Sequence, residues 1–128
     1  MQRGLVLALA ILVAGCGGPP TPLTVHDKPV THWLQALNDP DARARRKAIE
    51  ALSNVGAEDP AVIPALIEAL DDREAGVRSA AVLALLKIGP EASDAVPALH
   101  KAQKDKDAKV RNYAAKALER IENPSGVN

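Results

Sequence analysis

The sequence predicts an all-α fold, a solenoid of three 33-residue helical hairpins with about six helices. Three observations carry that prediction. Shifted by 33 residues, the chain aligns with itself without a gap. Asp39, Asp72 and Asp105 coincide, and so do Arg45, Arg78 and Arg111. The same register superposes Ala48, Ala81 and Ala114; Ala51, Ala84 and Ala117; Leu52, Leu85 and Leu118; and Val55, Ile88 and Ile121. Within each period the apolar residues recur at helical spacing, and no window alternates as a strand would. Aromatic side chains make up 2% of the 128 residues, Trp33 and Tyr113 without a Phe, so an aromatic-rich sandwich or a base-stacking platform fits poorly.

Composition bounds the function as well. Sixteen Lys and Arg balance sixteen Asp and Glu, and a protein living off phosphate electrostatics would carry a basic excess; no nucleic-acid partner is expected. The single cysteine, Cys16, excludes an internal disulfide framework and multi-cysteine metal sites. The length allows one small domain.

The chain opens with Met1-Gln2-Arg3, runs from Gly4 to Ala14 without a charge, and continues Gly15-Cys16-Gly17-Gly18. A positive start, an apolar stretch too short to span a bilayer, and small residues at its end describe an export signal over residues 1–15. Val13-Ala14-Gly15-Cys16 resembles the lipobox of bacterial lipoproteins. That resemblance implies a diacylglyceryl group on the Cys16 sulfur, cleavage before it, and acylation, commonly with palmitate, of the new amino group. Several acyl chains anchor stably where one does not. The protein is thus expected in the bacterial envelope on a membrane. Gly17 after the cysteine, where an Asp signals inner-membrane retention in many lineages, favours the outer membrane. Residues 16–29 contain Pro19, Pro20, Pro22 and Pro29 and read as a semi-rigid tether rather than an element, reaching roughly 3 Å per residue.

Each unit then supplies two helices, over about 30–56, 60–89 and 93–122, with a tail at 123–128. In the second helix of the first unit, Ala44, Ala48, Ala51, Leu52 and Val55 share a face. Gly56 and Gly89 stand where left-handed C-caps belong. The first helix of the middle unit is marked by Val62, Ile63, Leu66, Ile67 and Leu70, with Asp59-Pro60 as a start signal. Asp71-Asp72-Arg73 is short enough only for an antiparallel helical turn. The repeated alanines let helices approach closely while Leu and Ile fill the remaining space. Gln103 and Glu122 interrupt the pattern in the third unit and read as a polar cap.

The stretches LNDPDARARRKAIEALSNVG, LDDREAGVRSAAVLALLKIG and QKDKDAKVRNYAAKALERIE resemble the short HEAT repeats related to phycobilisome lyase subunits. The resemblance covers residues 30–122. It implies an α-solenoid in which Asp39, Asp72, Asp105, Arg45, Arg78 and Arg111 form a structural ladder rather than a catalytic array. Each Asp is expected to cap a helix or pair with an Arg of its own or the adjoining unit.

Chemistry-bearing motifs are otherwise missing. His26, His32 and His100 lack metal-ligand spacing, and no phosphate loop, nucleophile elbow or carboxylate pair occurs. No enzyme activity, cofactor, metal or small-molecule substrate is expected beyond the lipid on Cys16. What remains is a surface. Second helices of such solenoids usually line the concave face, giving columns Arg46, Ser79, Asn112; Lys47, Ala80, Tyr113; Glu50, Leu83, Lys116; and Asn54, Lys87, Arg120. Leu83 and Tyr113 with cationic Arg46, Lys47, Lys87, Lys116 and Arg120 around them suit a protein interface. The leading expectation is therefore a lipid-anchored adaptor for another protein. A bilin-handling or enzyme-accessory role, as in the lyase relatives, and a self-associating structural envelope protein are the alternatives.

Overall fold

The computed structural model describes residues 19–126. The export signal, Cys16 and the start of the tether lie outside those residues. A two-stranded antiparallel hairpin leads in, β1 Thr24–Val25 with β2 Lys28–Pro29. Six α-helices follow among the described residues: α1 Val30–Ala36, α2 Ala42–Val55, α3 Val62–Ala69, α4 Ala75–Ile88, α5 Val96–Ala102 and α6 Ala108–Glu122. Short 3₁₀ turns at Gly56–Glu58 and Gly89–Ala95 join the units. The expected helical hairpins are all present. The longer second helices stack as one layer, α4 against both α2 and α6, and the shorter α1, α3 and α5 pack alongside them.

The core lies between the layers. Ala48, Ala81, Ala114 and Ala117 have no accessible surface, nor do Leu52, Leu66, Leu85 and Leu99. Methyl-sized side chains at helix contacts permit close approach, and the leucines one turn away fill what is left.

Two readings of the sequence need correction. Residues 24–29 are an element, not tether. His26 and Asp27 both take positive φ, 50° and 61°, the two-residue turn whose twist matches a right-handed hairpin. The hairpin is tied to the domain, since Trp33 Nε1 donates to the Val25 carbonyl at 3.0 Å and the Val30 amide donates to the Leu23 carbonyl. The buried Trp33 thereby satisfies its one donor. The second correction concerns helix ends. Asp59-Pro60 does not begin α3: the Asp59 carboxylate accepts from the Ala61 amide at 2.9 Å, and the helix starts at Val62. Gly56 and Gly89 do have positive φ, 58° and 79°, but their ψ of −135° and −141° lies outside the left-handed helical region. That conformation sends the chain straight into the 3₁₀ turns and is open to glycine almost alone.

Candidate functional site

The Asp and Arg of the repeat form a chain of rungs running from unit to unit. Arg45 donates from Nε and Nη2 to both carboxylate oxygens of Asp72, at 2.9 and 3.0 Å. Arg78 does the same to Asp105, at 2.8 and 3.0 Å. In each case Nη1 donates to two carbonyls of the arginine's own turn, those of Asp39 and Pro40 for Arg45 and of Asp72 and Arg73 for Arg78. Each Asp also accepts the amide two residues on: Asp41 for Asp39, Glu74 for Asp72, Asp107 for Asp105. One arginine thus clamps its own turn and grips the next. Burial opposes ionisation of Asp72 and Asp105. The arginine hydrogen bonds and the Glu74 and Asp107 amides outweigh it and hold both carboxyls below their ordinary value. Asp41 and Asp107 cap α2 and α6 with their side chains, and the Arg43 amide lowers the Asp41 carboxyl as well.

Among the described residues the ladder has two open ends: the Asp39 carboxylate receives no arginine, and exposed Arg111 keeps only its carbonyl bonds, to Asp105 at 2.8 Å and Lys106 at 3.1 Å. Around Arg111 the stacking surface loses apolar bulk and gains a charge. Ala115 is exposed where Ile49 and Val82 are buried in the preceding units, and Glu119 is exposed where Leu86 is half-buried. Every buried side-chain polar atom among the described residues has a partner. A depression of about 440 Å³ is lined in part by Arg45 and Asp72, which are already engaged with each other, and by Arg73, which donates to the Pro40 carbonyl.

The second-helix face is different. Between α2 and α4 runs an open groove of about 210 Å³, floored by Ile49, Ala80 and Ala84 and edged by Arg46, Glu50, Leu83 and Lys87. Leu83 is 41% exposed, one of two large apolar side chains so exposed among the described residues; the other, Leu23, lies before the hairpin. The Arg46 side chain lies across Gly76, where an added Cβ would stand 3.6 Å from Arg46 Cδ. Lys87 reaches back over α2 and donates from Nζ to Asn54 Oδ1. Ser53 and Ser79 bond their own helix, to the Glu50 and Gly76 carbonyls, and leave the groove wall apolar in between. Arg46, Glu50 and Lys87 stand outside every ion pair formed among the described residues.

The residues singled out for partner binding divide accordingly. Arg46, Leu83 and Lys87 meet in the groove. Lys47, Lys116 and Arg120 are exposed on the same layer outside it, with Arg120 lying near Gly89, and Tyr113 is half-buried against the core. Glu50, which shares the column of Leu83, and Gly76, which stands where the other units carry Arg43 and Lys109, complete the groove. Of the histidines, His26 sits edge-on to Trp33 in the hairpin turn, exposed His32 flanks the same ring, and His100 faces Glu122 at 3.5 Å. Among the described residues no group of three His, Cys, Asp or Glu could hold a metal, and no helix is long and apolar enough to cross a membrane.

The zero net charge conceals a segregation. The three second helices carry ten Lys and Arg against three Glu, whereas the rest of residues 19–126 carries five against thirteen Asp and Glu. The cations gather on the second helices, while the acids sit mostly in the turns between helices; α1, α3 and α5 together carry one Glu and one Lys. A neutral sum therefore excludes less about partners than it suggests.

Comparison with known proteins agrees with the architecture. The family model for HEAT repeats matches residues 30–93, half of the chain. A crystal structure of an engineered protein from the Northeast Structural Genomics Consortium superposes with a TM-score of 0.56 at 26% identity, over 72% of this chain and 44% of that one. The chain thus spans less than half the length of that neighbour. No curated protein matches the sequence.

Proposed function

We propose, from the premise that this chain belongs to the HEAT-repeat family, whose units serve as protein-interaction scaffolds, that it is an exported, lipid-anchored adaptor. Its docking surface is the second-helix face, and its anchor is the lipid that the lipobox resemblance implies on Cys16. The observation that carries the docking reading is the groove between α2 and α4. It presents exposed Leu83 between two cations that pair with no carboxylate among the described residues. An exposed apolar side chain rimmed by polar groups is the composition of a hot spot awaiting a partner. The Pro-rich tether supports the anchoring reading, since it would hold the domain clear of lipid.

The self-associating alternative has one observation behind it, the two open ends of the ladder. Ala115 and Glu119 weigh against it, because Ala115 offers only a methyl group where Ile49 and Val82 bury larger side chains, and Glu119 puts a charge where Leu86 packs.

Photo-crosslinking in cells tests the docking face. A crosslinking residue at Ala80 or Leu83 is expected to capture a protein that one at Glu68, on the opposite layer, does not. Equal capture from all three positions refutes the assignment. Labelling with radioactive palmitate tests the anchor: Cys16→Ala should abolish the label and leave the protein unprocessed or released from membranes. Unchanged labelling would sink the lipoprotein reading.

A further inference from the structure

We infer that the groove between α2 and α4 takes an extended acidic segment of the partner protein, one in which two carboxylates bracket an apolar side chain. This rests on the reading that the second-helix face docks a protein. It adds the partner's chemistry and spacing.

The geometry follows from the helix carrying the groove. The Arg46 guanidinium lies over Gly76, with Nε and Nη1 each 4.0 Å from where a Cβ on that glycine would stand. Leu83 comes seven residues later on α4, about 10 Å along the axis at a rise of about 1.5 Å per residue, and Lys87 about 6 Å further. An extended chain advancing about 3.3 Å per residue covers that distance in about five residues. Side chains of an extended chain alternate in face, so residues entering one groove stand an even number apart. A segment of the form acidic-x-x-x-apolar-x-acidic therefore sets one carboxylate on Arg46, its apolar residue on Leu83 and the groove floor, and the second carboxylate on Lys87, the long Arg46 side chain taking up the remaining offset of about 3 Å.

Charge favours this occupant over others. The surrounding layer adds Lys47, Lys109, Lys116 and Arg120 to the two groove cations. Glu50 is the opposing charge within the groove, and its carboxylate repels an acidic ligand. A groove between two helices also suits a single chain better than a lipid surface, which a flat or convex face would meet more fully. The small floor residues Ala80 and Ala84 leave room for one side chain at a time.

The test uses the full chain in neutral detergent and a fluorescent probe peptide, Glu-Ser-Ser-Ser-Leu-Ser-Glu with neutral flanks, read by anisotropy. Binding is expected, and it should weaken as salt rises from 50 to 200 mM in the manner of a charge-steered contact, with those concentrations set as approximate low and near-physiological ionic strengths. Leu83→Ala should weaken it by about fivefold to tenfold through lost apolar contact. Arg46→Glu or Lys87→Glu should weaken it by about tenfold at low salt. Glu50→Gln should tighten it by about twofold to threefold, a gain that general surface damage cannot produce. All four positions are on the surface or groove edge, and circular dichroism confirms that each variant is folded. Equal binding of the peptide with Lys in place of both Glu overturns the proposal, as does indifference to Glu50→Gln. Binding to phosphatidylglycerol vesicles but not to the peptide, lost in Lys87→Glu, also overturns it and assigns the face to lipid. If the peptide fails while a crosslinker at Leu83 still captures a protein, the partner chemistry is wrong but the docking face stands. If both fail, the docking face falls too.

Discussion

Replacing Arg78 with Ala removes the whole rung between the second and third units. Lost are two charge-assisted bonds to Asp105, at 2.8 and 3.0 Å, and two bonds to the carbonyls of Asp72 and Arg73. The side chains of Arg78 and Asp105 are only 7% and 12% accessible, so the stranded carboxylate has little water to turn to. Breaking a buried pair by deleting one partner costs about 3–5 kcal/mol. Asp105 keeps the Asp107 amide, which places the expected loss near the low end, about 3 kcal/mol. Arg111 is the internal control. It occupies the same place in the third unit and makes the same two carbonyl bonds, yet it grips no carboxylate and is exposed. Arg111→Ala should therefore cost about 1 kcal/mol or less. Urea unfolding followed by circular dichroism distinguishes the two. With a slope of about 1.5 kcal/mol per molar, Arg78→Ala lowers the midpoint by about 2 M and Arg111→Ala by well under about 1 M. Equal shifts would mean that the rung contributes nothing beyond the turn clamp, and the account of the ladder would be wrong.

Three further outcomes are expected. Leu85→Ala empties a fully buried site in the middle unit and should cost about 2–5 kcal/mol, a large part of what so small a domain has; a melting curve like that of the unaltered protein would overturn the packing register. Because Asp72 and Asp105 titrate below the ordinary 3.8 when folded, their contribution is complete above about pH 5 and is lost as pH falls past 3.8 through the lower folded values, so the urea midpoint should drop below about pH 4 and drop less in Arg78→Ala. A midpoint that is the same at pH 3 and pH 7 refutes this. Gly89→Ala should cost about 1 kcal/mol or more, since φ is +79° and the new Cβ would meet Arg120 Nε at 3.1 Å, whereas Gly76→Ala in α4, at ordinary φ, should be neutral or stabilising; thermal unfolding of the pair checks the contrast.

The repeat period, the helical hairpins and the buried positions were all legible in the sequence. Leu52, Leu85 and Leu118 recur at one place in the period and Ala48, Ala81 and Ala114 at another one turn earlier, and helical spacing alone puts the two on one face. That much is local, because 3.6-residue periodicity says which side of each helix is apolar. The hairpin at Thr24–Pro29 was not legible because it follows Pro19, Pro20 and Pro22 in a stretch that reads as extended tether, and its strands are too short to alternate visibly. The charge segregation was in the sequence too, hidden by summing over the whole chain.

Periodicity does not specify how one unit sits upon the next. Whether Arg45 would grip an Asp of its own turn or of the following one depends on the axial stagger of successive hairpins, and the tertiary structure decides for Asp72, 27 residues on. The same stagger lays Arg46 over Gly76 and joins Arg46, Leu83 and Lys87 in one groove while leaving Tyr113 against the core. The sequence by itself determined the units and their faces, because each is written in a single helix. Only packing between units decided the rungs and the groove, because both are built from residues of two units whose offset is set by side-chain fit.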